Sequence, residues 1–430
     1  MDGPSTPSGD LSRGQLLAYG LPGLPLAILL LPLFITVPTY YADDLGLGFT
    51  TVGLVLLLAR AWDVVTDPLV GTLSDRTHSR YGRRRPWLLA GMPLMVVGAW
   101  ALFQPPNDIA WPHLAMATVT LYLGGTMVML PYTAWAAELS SDHHERSRIA
   151  GAREAALVIG TLCAMAVPAL FGIDRAIIMD GTAIALLVLA PLTIGTALVA
   201  LPDPPVARPA LQKPVLRGLG QLWRNHPFRQ LISAYFVNGI AYGLPATLFL
   251  LYTEHVLGRP DWSWLLLIIY FASAILALPA WLAVSRRLGK RRTWIVAMSM
   301  AAIGFWPAIL LGDGDLTWFI AICVWTGIPL GAELVMPPSM QADVVDLDAA
   351  RTGSRRTGML FGLWGVATKI PLALGVGIAF PILGLVGFSG DAATNSTISL
   401  LVLAGLYGLV PVAFKLLAIR LIWNYPLDAN

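Results

Sequence analysis

An all-α polytopic membrane protein, with twelve transmembrane helices in two halves of six, is the fold this sequence predicts. Three observations predict it. Of the 430 residues, 56% are hydrophobic and only 12% charged, with a mean hydropathy of +0.69, whereas a soluble domain carries about 25% charged residues. The charges cluster between apolar runs of about 20 residues, the length that crosses a bilayer. Landmarks of the first half recur at matching places in the second. A lipid bilayer is therefore the expected surrounding, and a net charge of +3 gives no reason to expect nucleic acid.

In chain order the expected spans are 15–41, 51–73, 86–104, 113–137, 151–172, 179–201, 230–253, 262–284, 294–312, 316–340, 358–388 and 396–423. The leading MDGPSTPSGDLSRGQ lacks the basic start and cleavage region of a signal peptide, so the first apolar run is expected to stay as a span. With an inward N-terminus, the termini and even-numbered connections, counted together with Arg153, Lys415 and Arg420 in the spans that adjoin them, hold 24 of the 28 Lys and Arg residues. The outer loops hold Arg175 and Arg259, and the spans otherwise hold Arg60 and Lys369. The positive-inside rule then places both termini in the cytoplasm of a plasma or bacterial inner membrane. Cys163 and Cys323 sit in apolar runs as small hydrophobes. The histidines show no ligand spacing, so neither cofactor nor resident metal is expected. Asn395-Ser-Thr397 reads as a glycosylation triplet that chance alone explains.

Residues 202–229, PDPPVARPALQKPVLRGLGQLWRNHPFR, form the longest polar connection. They divide the chain into an N-terminal half (1–201), a cytoplasmic linker and a C-terminal half (230–430). YGRRRPW (81–87) is answered by LGKRRTW (288–294), GGTMVMLPYT (124–133) by GAELVMPPS (331–339), and ERSRIAGAR (145–153) more loosely by ARTGSRRTG (350–358). Three echoes in register indicate duplication. Two parallel six-helix halves with a site between them are the major facilitator arrangement.

The richest stretch runs from Ala59 to Pro86, ARAWDVVTDPLVGTLSDRTHSRYGRRRP. On a helix, positions 60, 63 and 67 fall within roughly 60° of one another, so one stripe carries Arg60, Asp63 and Asp67. Ionisable groups inside a span are costly and mark ion or substrate paths. Two carboxylates one turn apart disfavour each other's ionisation in low dielectric. A bound Na⁺ or a proton relieves that, and either ion can drive a conformational choice.

Gly71-Thr-Leu-Ser-Asp75-Arg76, followed by Gly82-Arg83-Arg84, looks like the facilitator signature after span two. The longer string WDVVTDPLVGTLSDRTHSRYGRRRPW resembles the glycoside–pentoside–hexuronide cation symporters, and animal lysolipid symporters are similar over the same stretch. The resemblance implies a coupling-cation site at Asp63, Asp67, Thr66 and Thr126. It also implies a counter-charge at Lys369, in GVATKIPLALG of span eleven, acting with Arg60. Met129 stands where the family's melibiose carrier has a carboxylate, and Met ligates a hard cation poorly, so both Na⁺ and H⁺ remain open.

For substrate, Arg153 matches a family arginine that contacts sugar hydroxyls. Trp135 and Trp364 offer faces for stacking, and Glu333 is the second-half counterpart of Thr126. Span one, GLPGLPLAILLLPLF, has Ala27 or a neighbour where the melibiose carrier has a carboxylate. A less polar glycoside or an amphiphile is thus expected in place of a galactoside, with a lysolipid as the alternative. Prolines 131, 337 and 338 are expected to break spans four and ten, and Pro22, Pro25, Pro32 and Pro38 to interrupt span one. Asp75, Arg76, Gly82 and Arg83 are expected to gate the cytoplasmic ends.

The expected activity is cation-coupled symport by a monomer through alternating access, with no enzymatic step. The alternative from a different class is a Mg²⁺-dependent membrane prenyltransferase, with Asp343, Asp346 and Asp348 as its second acidic cluster. The six-plus-six duplication and the burial of the first aspartate pair in an apolar span argue against it.

Overall fold

Helix α2, Phe49–Arg76, carries the pattern expected of a bilayer helix turned inside out. Leu58, Trp62, Val65, Leu69 and Leu73 are exposed, while Asp63, Thr66 and Val70 are buried. Apolar side chains meet lipid, and the polar ones find protein partners. The structure, a computed structural model, describes residues 11–77, 79–106, 109–140, 143–171, 174–202, 225–352, 357–390 and 395–427. The 202–229 linker lies mostly outside the described residues.

Twelve helices among them are long and apolar enough to cross a membrane. They are α1 (Arg13–Asp44), α2, α3 (Arg85–Phe103), α4 (Trp111–Leu139), α5 (His143–Phe171), α6 (Arg175–Ala200), α7 (His226–His255), α8 (Ser263–Leu288), α9 (Lys290–Phe305), α10 (Leu316–Thr352), α11 (Thr357–Leu385) and α12 (Thr397–Ile422). The protein is an all-α, twelve-helix membrane protein. Helices α5 and α10 run well past the spans expected from hydropathy. An apolar run marks only the length in hydrocarbon, and helix continues into the charged ends.

Proline acts unevenly. Helix α1 contains two π-helical stretches, Pro32–Thr36 and Tyr40–Asp44. Pro131, Pro337 and Pro338, however, lie inside continuous helices. A proline removes one backbone donor, and the remaining ladder closes around it as a bend rather than a break.

The chain forms two units: Met1–Tyr41 with Leu58–Leu211, and Ala42–Leu57 with Gln212–Asn430. In the first, α1 packs on α5 and α6, and α3 packs on α4 and α6. In the second, α7 packs on α11 and α12, and α9 on α10 and α12. Adding six to each helix number maps one set of neighbours onto the other, as duplication requires. The unit boundary departs from the simple division at the linker. Residues 42–57 join the second unit because Phe49 meets Phe380 and Phe388 edge-on and Gly53 lies against Phe380 and Pro381.

Helices α3 and α4 cross at glycine. A Cβ on Gly98 would collide with the Leu121 backbone, and one on Gly124 with the Met95 backbone. Small residues permit this approach where no water drives helices together. Gly124→Val is expected to force the helices apart and lower stability by about 1–3 kcal/mol, measured as a drop in the thermal midpoint of the purified protein. Gly125→Ala is the control, because a Cβ there meets nothing within 4 Å. Equal stability of the two variants would refute the close-packing account.

Candidate functional site

Buried charge concentrates on the inner face of α2. Asp63 is 2% exposed, Arg60 and Thr66 are also buried, and Asp67 is half-buried. Arg60 Nη1 lies 3.1 Å from Asp63 Oδ2. Its guanidinium also sits 5.0 Å from the Phe34 ring centroid and 4.7 Å from that of Tyr122. The two rings supply a weakly polar seat that an arginine tolerates away from water. Thr126, brought to α2 on α4, places its Oγ1 2.9 Å from Asp63 Oδ1 and 2.9 Å from Asp67 Oδ1.

That double contact constrains the chemistry. A hydroxyl has one proton to donate. That proton is directed at one carboxylate oxygen or shared between the two, so a single hydroxyl ties both carboxylates together. Thr66 contributes differently from expectation: its hydroxyl donates to the Asp63 carbonyl, 3.0 Å away, within the same helix. Lys369 is half-buried on α11, in the second unit.

The arginine loop after α2 ties back onto the first unit. Gly82 takes φ +88°, a left-handed conformation that favours glycine, and the turn presents the arginines to the end of α4. Arg83 pairs with Glu138, and Arg84 reaches the same carboxylate at 2.6 Å and Ser74 Oγ at 2.7 Å. Arg76 is exposed. Asp75 contributes its backbone to α2, and its side chain lies outside the described residues.

The second unit repeats the device. Gly289 has φ +82°, and Lys290 Nζ lies 2.6 Å from an Asp343 carboxylate oxygen. The alignment of YGRRRPW with LGKRRTW sets Gly82 opposite Gly289 and Arg83 opposite Lys290. Glu138 and Arg84 were missed as members of this ion-paired set. The signal was available: an acidic residue closes span four, beside the arginine loop, as one closes span ten.

Of the substrate candidates, Trp135 is 0% exposed, with the Arg85 guanidinium 5.9 Å from its ring centroid. In this arrangement it packs and presents no face to a ligand. Trp364 stacks on Tyr235 with centroids 4.0 Å apart, and Tyr235 Oη bonds Thr368 Oγ1. Arg153 pairs with the neighbouring Glu154.

Glu333 belongs to a buried cluster that the sequence reading did not anticipate. Lys415 Nζ donates to Glu333 Oε1 at 2.7 Å, to Glu333 Oε2 at 2.9 Å and to Asn238 Oδ1 at 3.2 Å. Asn238 Nδ2 donates to Glu333 Oε2 at 2.7 Å. Lys415 is 1% exposed, inside α12. Counting it with the C-terminal cytoplasmic end was therefore an error: a cation near a chain end need not face water when α7 and α10 supply its partners.

The comparisons accord with this architecture. The family model described as "MFS/sugar transport protein" matches residues 18–429. The glucuronide carrier protein homolog of Escherichia coli (strain K12) is 25% identical, over 90% of this chain and 87% of its own. The human sodium-dependent lysophosphatidylcholine symporter 1 is 24% identical, over 89% of this chain and 77% of its own. Among solved structures, that of the nucleoside transporter NupG aligns with a TM-score of 0.68 at 14% identity, covering 94% of this chain and 99% of that one, which shows the shared fold. These are membrane transporters rather than enzymes, and Asp343 of the alternative prenyltransferase cluster is occupied by Lys290. Two duplicated helical units, the echoed ion-paired loops and the match across nearly the whole length lead to one assignment: the chain belongs to the MFS/sugar transport protein family.

Proposed function

We propose that this protein is a cation-coupled symporter whose coupling ion, Na⁺ or H⁺, is carried at Asp63, Asp67 and Thr126. The carrying observation is the single Thr126 hydroxyl between two carboxylate oxygens, each 2.9 Å away. Charge supports the same reading. Arg60 pairs with Asp63, and Asp67 adds a second carboxylate beside Thr126, to which one monovalent cation brings the opposite charge. Thr66, with oxygen lone pairs beside the pair, is a further ligand for Na⁺, whereas H⁺ needs only the existing hydrogen-bond chain.

Lys369 is the counter-charge when the cation is absent. The substrate is a glycoside-like or amphiphilic small solute, recognised with Arg153, Trp364 and Glu333. A lysolipid is the second reading, supported by the named cargo of the human relative. Trp135 would contribute only in a conformation that exposes it. Asp75, Arg76, Gly82 and Arg83, joined by Arg84 and Glu138, gate the cytoplasmic ends. The protein works as a monomer, with both termini in the cytoplasm.

The test is thermal stability of the purified protein with and without Na⁺, at two pH values, across a panel of glycosides and lysolipids. Ligands that bind the folded state raise the apparent midpoint by mass action. A Na⁺-dependent rise that disappears in Asp67→Asn selects sodium. A pH-dependent rise tied to the same residue selects the proton. An Asp67→Asn protein that responds to both ions like the wild type would remove the site from coupling.

A further inference from the structure

The second unit brings together three metal-competent side chains that lie far apart in sequence. One carboxylate oxygen each from Asp43 and Glu254 and one ring nitrogen of His255 lie within 4.8 Å of one another. Asp43 is in the π-helical end of α1, and Glu254 and His255 are the last two residues of α7. All three are half-buried.

Their surroundings hold the set in place. Asp43 lies directly against Gly390, where any Cβ would displace its carboxylate. The loop carrying Gly390 is pinned by reciprocal bonds between Ser389 and Asn395, of 2.9 and 2.6 Å. The His255 ring meets Phe388 edge-on, with centroids 5.0 Å apart. A cavity of about 600 Å³ reaches Asp43 and is lined in part by Thr50, Thr51 and Ser389, so an ion has a polar way in.

We propose that Asp43, Glu254 and His255 form a binding site for a borderline divalent cation of the Zn²⁺ type, separate from the coupling site. An imidazole nitrogen with two carboxylates is a recognised zinc donor set, with bonds of about 2.0–2.2 Å and ligand atoms some 3.4 Å apart. Metal binding would draw the three ligand atoms, now within 4.8 Å of one another, together to that value. Two carboxylates and a neutral imidazole carry a charge of −2, which a divalent ion cancels. Mg²⁺ and Ca²⁺ prefer all-oxygen shells with more ligands, so the imidazole selects against them. Bound metal would tie the connection between α1 and α2 to the end of α7. The spacing of histidines in sequence hides such a site, because Asp43 reaches it only through the fold.

The experiment is a thermal-stability titration with Zn²⁺ on full-length protein freed of any histidine tag, with Mg²⁺ as the control. Zn²⁺ is expected to raise the apparent midpoint by several degrees at saturation and Mg²⁺ to leave it unchanged. The Zn²⁺ shift should vanish in His255→Gln and in Asp43→Asn. No shift in the wild type, or one that survives in His255→Gln, overturns the site. Should both variants fail to fold, a Co²⁺ titration of the wild type decides. Intense visible bands of a four- or five-coordinate ion support the site, and only the weak spectrum of hexa-aqua Co²⁺ refutes it. None of these readouts depends on transport, so the proposed coupling at Asp67 and this site stand or fall separately.

Discussion

Asp67→Asn is expected to abolish concentrative uptake while leaving the fold intact. In reconstituted vesicles with an imposed cation gradient, accumulation should fall until inside and outside concentrations are equal, and substrate exchange should persist. The amide keeps the shape and hydrogen-bonding reach of the carboxyl but carries no charge. With Asn at 67, the oxygen cluster at Thr126 loses one of its two carboxylate charges, while Arg60 and Asp63 keep their 3.1 Å pair. Reciprocal linkage adds a second signature: substrate affinity should lose its dependence on the coupling ion, because coupling between two ligands is symmetric in free energy. Asp63→Asn should behave differently. It strands the Arg60 guanidinium among Phe34 and Tyr122, and breaking a buried pair on one side costs about 3–5 kcal/mol. Its protein should therefore melt early, whereas Asp67→Asn protein should not. Undiminished accumulation by Asp67→Asn would refute the coupling role.

Much of this architecture was legible in the sequence, for physical reasons particular to membranes. Hydrocarbon admits few charges and demands internally bonded backbone, so apolar runs announce their helices. The same cost makes Arg60, Asp63 and Asp67 conspicuous, and helical periodicity alone sets them on one stripe. The arginine loops and their echo disclosed the duplication, and Gly82 and Gly289 share the backbone conformation that the alignment of the loops implies. Less legible was anything depending on which helices meet. Glu138 as the partner of Arg83 and Arg84 required the packing of α4 beside the loop. Asn238, Glu333 and Lys415 come from three helices and have no common motif. Lys415 was hidden further by its place near the end of the last span, where a lysine ordinarily reaches for water. Trp135 shows the opposite failure: an aromatic in the right span is a stacking candidate by type, and only its burial under Arg85 reveals packing.

Lys415→Ala is expected to lower stability by about 3–5 kcal/mol, the cost of leaving one member of a buried ion pair uncompensated. Here the stranded member is Glu333, whose two oxygens each accept from Lys415 and one of which also accepts from Asn238. The measurement is thermal or denaturant unfolding in detergent against the wild type. The double variant Lys415→Met, Glu333→Leu, made with Asn238→Leu so that no buried amide is left without its partners, should recover most of the loss, because apolar replacement of a whole buried pair is often neutral or stabilising. An additive combined variant, as damaged as the sum of its parts, would show that the two side chains do not act as a pair. Uptake by the recovered combined variant then separates two roles that stability alone confounds. A pair that only holds α7, α10 and α12 together can be replaced by packing, and transport should continue. A Glu333 that recognises substrate cannot be replaced by leucine, and uptake should fail in a protein as stable as the wild type. The second outcome is the one expected, because a fully bonded ionic cluster is an expensive way to join helices that apolar side chains could join as well.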